Sequence, residues 1–221
     1  MRLLLQTRVL NRASVAALIS ALACYPRLLL WPNHPGPIWY LEATILLCGI
    51  MLWSFVFAWH TACTNRPVFL LKLESRTFVL VSVIGAVIGG GIHLWLDPSL
   101  RSKMPEEYPA DLKSWLASLL FSLALTQLFL VLAPFDLFAR TLRNARLAAA
   151  LTALFGAFVL AMKLNLVTTP ISPWLLVALL VGRAVMAYLA VSFYLRGGVF
   201  LVWWWTFLFD ARLLPDLPGH H

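Results

Sequence analysis

Seven ionisable side chains lie inside or at the ends of strongly apolar stretches, and they carry whatever chemistry this sequence can do. They are Glu42, His60, His93, Asp136, Lys163, Arg183 and Asp210. A charge placed in hydrocarbon is costly, so each is a candidate ion pair, proton relay or transport site. Arg183 follows Gly182 near the middle of its apolar stretch, too deep to reach water easily. We expect it to face other helices and to form a structural ion pair with Glu42 or Asp210.

The histidines and cysteines predict no metal or cofactor site. His60 and His93 end successive apolar stretches, so alternating helices would place them about 30 Å apart, on opposite sides of a membrane. His34 would share a side with His93, but two histidines without a fixed third ligand do not define a metal site. His93 and Asp97 are one helical turn apart and predict an interfacial hydrogen bond. Lys163 lies near the end of its stretch and is expected to extend to the membrane surface. The spacing of the three cysteines matches no zinc motif.

The elements that position these residues are predicted to be transmembrane helices. Of the 221 residues, 62% are hydrophobic and 12% are charged, and the mean hydropathy is +0.85. The charge is about half that of a soluble domain, and the apolar content excludes a disordered chain. A helix of about 20 apolar residues can cross the hydrocarbon of a membrane. Seven stretches qualify, at about residues 13–31, 38–62, 77–95, 112–138, 147–167, 173–195 and 198–214, the last short enough to be re-entrant.

Two of these stretches contain residues that predict local features. Pro134 predicts a kink in the fourth stretch, because proline removes one helical hydrogen bond. The third stretch contains Gly85, Gly89, Gly90 and Gly91. Small residues let two helices approach closely, so these glycines predict a packing face rather than a phosphate-binding loop.

Basic residues predict the orientation of an all-α, polytopic helix bundle. If the helices alternate, the loops on one side hold Arg2, Arg8, Arg12, Arg66, Lys72, Arg76, Arg140, Arg143, Arg146 and Arg196. The other side holds Arg101, Lys103, Lys113 and Arg212. The more basic side is expected to be cytoplasmic, with the N-terminus inside and the C-terminus outside after seven spans. No convincing cleavage site follows Ala23, so the first helix is expected to be uncleaved. The net charge of +8 is assigned to loops and anionic headgroups, and no nucleic acid partner is expected.

Four short segments in the C-terminal half resemble, in order and spacing, those of a known family. They are residues 134–140 (PFDLFAR), 151–159 (LTALFGAFV), 194–201 (YLRGGVFL) and 206–210 (TFLFD). The first, second and fourth are similar to the Glu-Glu-x-x-x-Arg, Phe-x-x-x-His and His-x-x-x-Asn/Asp segments of the CPBP superfamily, and the third to its turn before the last motif. These are the CAAX-protease and bacteriocin-processing intramembrane proteins. The resemblance implies one integral membrane domain over residues 1–221. Its family-like helical core would cover residues 112–214, after three additional helices and an outer loop over 1–111.

The resemblance also implies a catalytic set of glutamates and histidines that activate water or polarise a peptide carbonyl. The corresponding positions here are, in chain order, Phe135, Asp136, Arg140, Val159, Thr206 and Asp210. With both histidines replaced, no obvious group is left to polarise the carbonyl or protonate the leaving amine. We therefore expect a catalytically silent member. In it, Asp136, Arg140, Thr206 and Asp210 would form a polar cluster that holds three helices in register.

Three functional hypotheses follow. A silent relative of the intramembrane proteases would bind a membrane protein or a lipid. An accessory subunit would contribute helices to a larger membrane protein complex. An active intramembrane endopeptidase would use altered residues, either without a metal or with a glutamate/aspartate-type mechanism. The expected location in each case is the plasma (inner) membrane, with the lipid bilayer and other membrane subunits as partners and no cofactor. A transporter is disfavoured by the few intramembrane charges and the lack of an inverted repeat.

Overall fold

The computed structural model describes residues 4, 6–31, 35–64, 66–70, 73–165 and 172–217. Its main helices are α1 (Thr7–Leu30), α2 (Ile38–Thr64), α3 (Ser75–Trp95), the short α4 (Asp97–Arg101), α5 (Leu112–Leu142), α6 (Ala145–Leu164) and α7 (Pro173–Ala211). All of these except α4 are long and apolar enough to cross a membrane, which makes six such helices in the described chain. The prediction of a helical, membrane-type protein is confirmed at this level. Arg2, His34 and Lys72 lie outside the described residues.

The helices follow the predicted apolar stretches with two differences. α1 begins at Thr7 rather than near residue 13, and it continues through Pro26. Proline is tolerated inside apolar membrane helices because neighbouring groups can satisfy the freed carbonyl. The sixth and seventh stretches, which the sequence separates, belong to one 39-residue helical run, α7.

Although its helical residues are contiguous, α7 consists of two arms that meet at Gly198. This residue has φ 65° and ψ −161°, outside the helical region. Along a straight helix Phe193 and Trp205 would be about 18 Å apart. Their ring centroids are only 5.1 Å apart. The chain therefore reverses at Gly198, and residues 173–197 (the first arm) and 199–211 (the second arm) lie side by side.

The loop between α2 and α3 holds this reversal in place. The backbone N–H of Val199 donates to the Val68 carbonyl at 3.0 Å, and Phe69 forms an isolated antiparallel bridge with Gly198. Arg66 Nη1 donates at 2.7 Å to a main-chain carbonyl at the end of the first arm. A Cβ on Gly198 would lie 2.5 Å from the Val68 carbonyl oxygen. Glycine is thus required here both for the positive φ and for the close backbone approach.

The second arm packs along α3 over the predicted glycine face. A Cβ on Gly85 would lie 2.8 Å from a side-chain carbon of Leu208, and one on Gly89 would lie 3.7 Å from the Leu208 carbonyl oxygen. Trp204 Nε1 donates to Ser82 Oγ at 2.9 Å. The small residues of α3 therefore let the second arm lie close, as the glycine pattern predicts.

α5 is not a regular α-helix throughout. It contains two π-helical turns, Ser122–Thr126 and Leu128–Leu132, shortly before Pro134. Proline clashes with the carbonyl four residues earlier, and wider turns relieve such crowding. The carbonyl that Pro134 crowds is that of Leu130, so the second π-helical turn lies where the predicted distortion falls.

The loops lie at two opposite ends of the bundle. At one end, the basic end, Arg66 contacts the end of the first arm close to Arg196. At the other, the loop end, Lys163 at the end of α6 pairs with Glu107 in the loop that precedes α5. Lys163 is half exposed there, as expected for a side chain that extends to a surface. These contacts agree with the alternation of helices assumed from the sequence.

Replacement of Gly198 by alanine is expected to destabilise the protein strongly. The methyl group would be held at a φ and ψ that only glycine adopts readily and would overlap the Val68 carbonyl. We expect the free energy of unfolding to fall by about 2–5 kcal/mol, measured by melting in mild detergent with tryptophan fluorescence. Gly90→Ala is the matched control, because a Cβ there has no neighbour within 4 Å. Equal melting temperatures for the two variants would contradict the structure of the reversal.

Candidate functional site

Three polar side chains from three helices meet near the basic end. The Tyr194 hydroxyl donates to Asp136 Oδ2 at 2.8 Å, and His60 Nδ1 lies 3.4 Å from Asp136 Oδ1. The His60 and Tyr194 rings are in contact, with centroids 4.3 Å apart. The exposed fractions of the three residues are 1% for His60, 0% for Asp136 and 1% for Tyr194. We call these three residues the polar cluster.

The polar cluster is closed to substrate. Phe135 packs edge-on against Tyr194, and no residue of the cluster lines either of the two main cavities of the described chain. His60 Nδ1 and Asp136 Oδ1 face each other without the alignment of a hydrogen bond. A His–Asp pair acts as a catalytic base only where it can reach a nucleophile or water. The cluster therefore has the character of a polar link between α2, α5 and the first arm of α7.

The four positions suggested by the family resemblance are divided between two places. Asp136 belongs to the polar cluster, whereas Arg140 is exposed and pairs with no carboxylate of the described residues. Thr206 donates to a carbonyl of its own helix at 2.9 Å. Asp210 faces Ser122, which lies about 20 Å along α5 from Asp136. The single polar cluster expected from the sequence is not formed, because Asp136 and Asp210 lie at different depths of the bundle.

A cavity of about 540 Å³ lies in the loop-end half of the molecule. It is bounded by both arms of α7, by α5 and α6, and by the loop before α5. Much of its wall is apolar and includes Leu96, Leu160, Leu179, Trp205 and Phe209. Its volume is within the range of small-ligand pockets, about 300–1,000 Å³. The cavity is therefore large enough to hold a ligand, whereas the polar cluster is not accessible to one.

Arg183, on the first arm, is a partly buried cation that lines this cavity. Its side chain runs over Gly156 of α6, where a Cβ would lie 3.7 Å from Nε. Its Nη2 has no hydrogen-bond partner, and no carboxylate of the described residues pairs with it. The ion pair expected with Glu42 or Asp210 is thus not formed. Glu42 lies on α2 close to Cys24, away from the cavity lining, and its Oε2 is also without a partner.

Two hydrogen-bond acceptors complete the polar part of the cavity. Asp210 Oδ2 on the second arm and Gln127 Oε1 on α5 are both buried without a partner. Arg212 is near Asp210, but its Nε donates to Asp97 Oδ2 at 3.1 Å, so it is engaged elsewhere. In the described part of the chain the cavity therefore contains one cationic nitrogen and two acceptor oxygens without partners, and Arg27, Glu107, Lys163 and Arg212 also line it. Buried polar groups are normally hydrogen-bonded, so these three atoms point to a missing partner.

An interaction network centred on Asp97 closes the loop side of the cavity. Asp97 is 2% exposed, and it accepts hydrogen bonds from Arg212 and, at 2.9 Å, from the Tyr108 hydroxyl. Burial and the bond to Asp97 raise the pKa of Tyr108, so its hydroxyl keeps its proton at physiological pH. His93 Nδ1 lies 3.7 Å from Asp97 Oδ2, so the two side chains are neighbours as their spacing predicts, but the predicted hydrogen bond is not formed. The network ties the end of the second arm to the end of α3.

Reasoning from sequence missed two residues that matter here, Tyr194 and Gln127. Tyr194 is an aromatic residue in an apolar stretch, where nothing local reveals that its hydroxyl meets a carboxylate 58 residues away. Gln127 is uncharged and therefore escapes a search for ionisable groups. A usable signal did exist, because Gln127 is the only side-chain amide in the predicted fourth stretch.

Comparison with known proteins adds no relatives to this geometry: no family model, curated protein or solved structure matches the chain. Among the described residues, no group of three or more His, Cys, Asp or Glu side chains could hold a metal ion.

The bond between Asp136 and Tyr194 is expected to contribute to stability as a pair. Asp136→Ala leaves the buried Tyr194 hydroxyl unpaired and should lower the free energy of unfolding by about 1–3 kcal/mol. Asp136→Asn keeps an acceptor oxygen and should be milder. The free energy of unfolding of each purified variant is measured in detergent. The double variant Asp136→Ala/Tyr194→Phe should be less destabilised than the sum of the single variants, since it removes both partners. If the losses in unfolding free energy of the two single variants add exactly in the double variant, the hydrogen bond between Asp136 and Tyr194 does not contribute to stability.

Proposed function

We propose that this chain is a catalytically silent integral membrane protein, related to the CPBP superfamily, that binds a lipid-like amphiphile in its cavity. The observation that carries the proposal is Arg183 beside apolar cavity walls, with its Nη2 buried and without a partner among the described residues. A cation in the interior of a membrane protein is strongly destabilising unless it is paired or solvated. An anionic group on an otherwise apolar ligand would supply that partner.

Binding rather than peptide cleavage is favoured by the distribution of the chemical groups. The polar cluster contains histidine and aspartate, but it is closed. The cavity contains Asp210 and Thr206, but no histidine lines it. General acid–base catalysis needs a proton-exchanging group within reach of the reacting atoms. The carboxylates of the described lining are Asp210 and Glu107, and Glu107 pairs with Lys163, so an active peptidase would have to use Asp210, about 20 Å along α5 from the level of Asp136.

The proposed topology has seven membrane segments in the plasma (inner) membrane, with a cytoplasmic N-terminus. The number of seven results from counting the second arm of α7 as a separate membrane segment. That arm starts beside Val68 at the basic end, and Arg212 just after it pairs with Asp97 at the loop end. The arm itself is about 20 Å long, so the turn after it would complete the crossing. The excess of Lys and Arg at the basic end supports a cytoplasmic location for that end.

A second candidate function is that of an accessory subunit in a membrane protein complex. It is favoured by the outer face of α3, where Gly90 and Gly91 have no neighbour within 4 Å and Val87 is 68% exposed. Small residues on a lipid-facing surface permit close packing of a further helix. A stoichiometric protein that copurifies and is lost on Gly90→Leu would favour this role. It is compatible with ligand binding in the cavity.

The binding function predicts that Arg183 retains lipid. Protein purified in mild detergent should carry about one tightly bound phospholipid per chain, measured by native mass spectrometry and by phosphate analysis. Arg183→Met should lose most of it, because the anionic group loses its counter-charge. Arg146→Met is the matched control. It removes the same charge from an exposed arginine at the basic end.

Melting experiments separate binding from folding in the same variants. In delipidated protein Arg183→Met should be as stable as the parent or more stable, because it removes an unpaired buried charge. Added phospholipid should then stabilise the parent and not the variant. Equal lipid retention by the parent and Arg183→Met would refute the proposed function.

The topology predicts opposite labelling of two introduced cysteines. A cysteine at Ser102, in the loop after α4, should react with an impermeant thiol reagent added to intact cells. A cysteine at Asn144, in the turn between α5 and α6, should react only after the membrane is permeabilised. Both positions are exposed, so access depends on the side of the membrane. The reverse pattern would invert the proposed orientation.

A further inference from the structure

We infer that the ligand of the cavity is a glycerophospholipid whose headgroup carries a primary amine. Its phosphate would bind Arg183, and its ammonium group would bind Asp210 and Gln127. The inference rests on the proposed binding function and specifies the chemical class of the ligand. It follows from three requirements that the cavity sets, one for each part of such a molecule.

The first requirement is an anionic group at Arg183. The guanidinium presents several N–H donors in one plane, and its Nη2 is buried without an acceptor. Phosphate and carboxylate oxygens match this arrangement better than neutral acceptors do. Asp210 lines the same cavity near Arg212 but does not pair with Arg183, so a ligand with both charges would bridge Arg183 and Asp210.

The second requirement is a group that donates hydrogen bonds and carries positive charge. Asp210 Oδ2 and Gln127 Oε1 are both acceptors, and both lack a donor among the described residues, although Asp210 is also near Ser122 and Arg212. A primary ammonium has three N–H donors and neutralises a carboxylate. A choline headgroup is cationic but has no N–H, so it would leave both acceptors unsatisfied. A glycerol headgroup would bring phosphate close to Asp210 without a compensating positive charge.

The third requirement is an apolar extension of the ligand. The walls around the three polar atoms include Leu96, Leu160, Leu179 and Phe209. A free zwitterion such as phosphoethanolamine would leave these walls in contact with water. An amphiphile covers them with its glycerol backbone and the first part of its acyl chains, which is favourable in proportion to the apolar area buried. The acyl chains also explain why the ligand would come from the membrane rather than from solution.

A binding series with dioleoyl lipids tests the headgroup. Delipidated protein in detergent is titrated with phosphatidylethanolamine, its N-methyl and N,N-dimethyl derivatives, phosphatidylcholine and phosphatidylglycerol, and binding is followed by native mass spectrometry. Affinity should fall as each N–H is replaced, by about tenfold overall from the primary amine to choline. Phosphatidylglycerol should also bind more weakly than phosphatidylethanolamine. Glycerophosphoethanolamine, which has the headgroup without chains, should not displace the lipid at equal concentration.

Two variants assign the selectivity to the cavity. Asp210→Asn removes the negative charge, so it should weaken phosphatidylethanolamine binding several-fold and leave phosphatidylglycerol binding equal or stronger. Glu74→Gln makes the same change at an exposed site outside the cavity lining and should alter neither. The melting temperature of each lipid-free variant identifies any loss through misfolding. If Asp210→Asn does not fold, Gln127→Leu replaces it and should reduce the preference for the primary amine over choline.

The outcomes separate this inference from the proposed function. Equal affinity for all headgroups, with retention still dependent on Arg183, would overturn the inference and leave the binding function standing. Displacement by glycerophosphoethanolamine would also overturn it, in favour of a soluble zwitterion. Loss of all lipid binding in the parent protein would overturn both.

Discussion

The chain reversal at Gly198 is the constraint on which both polar sites depend. The backbone bond from Val199 to Val68 holds it, and only glycine has the required φ and lets the Val68 carbonyl approach so closely. Before the reversal, the first arm brings Tyr194 to Asp136 and carries Arg183 into the cavity. After it, the second arm places Asp210 in the wall of the same cavity. If α7 were straight, it would be about 58 Å long and could provide neither arrangement within the thickness of a membrane.

The two sites solve the problem of a buried ionisable group in different ways. Asp136 accepts one hydrogen bond from the Tyr194 hydroxyl, and its other oxygen lies 3.4 Å from His60 without an aligned donor, in packing that admits no ligand. Arg183 and Asp210 line the cavity, and each has one polar atom without a partner among the described residues. The first arrangement links helices and gains nothing from being accessible. The second is unfavourable in the empty protein and becomes favourable only when a partner enters. This difference, rather than the identity of the residues, separates the polar cluster from the proposed binding site.

The sequence was sufficient to predict the helices, but it was not sufficient to predict which residues the polar side chains contact. Apolar length predicted the spans, and the separation of residues 173–195 from 198–214 anticipated the reversal inside α7. The glycines of α3 predicted the close contact made by Gly85 and Gly89. In contrast, His60, Asp136 and Tyr194 come from distant segments, and no periodicity links them. Opposite charge made Glu42 and Asp210 reasonable partners for Arg183. Charge alone, however, does not predict which helices are neighbours or the distance between the two arms of α7.

The unpaired state of Arg183 is the strongest indication of function because it opposes stability. Leucine or methionine at this position would fill apolar space without the penalty of a buried charge. A sequence shaped by stability alone would also be expected to pair such an arginine with a nearby carboxylate, and Asp210 lines the same cavity. The structure instead keeps the two charges apart and commits Arg212 to Asp97. Polar groups without a partner inside the protein are expected at sites that bind another molecule. Because Arg183 Nη2 lacks an acceptor and Asp210 Oδ2 lacks a donor among the described residues, the proposed ligand carries both charges.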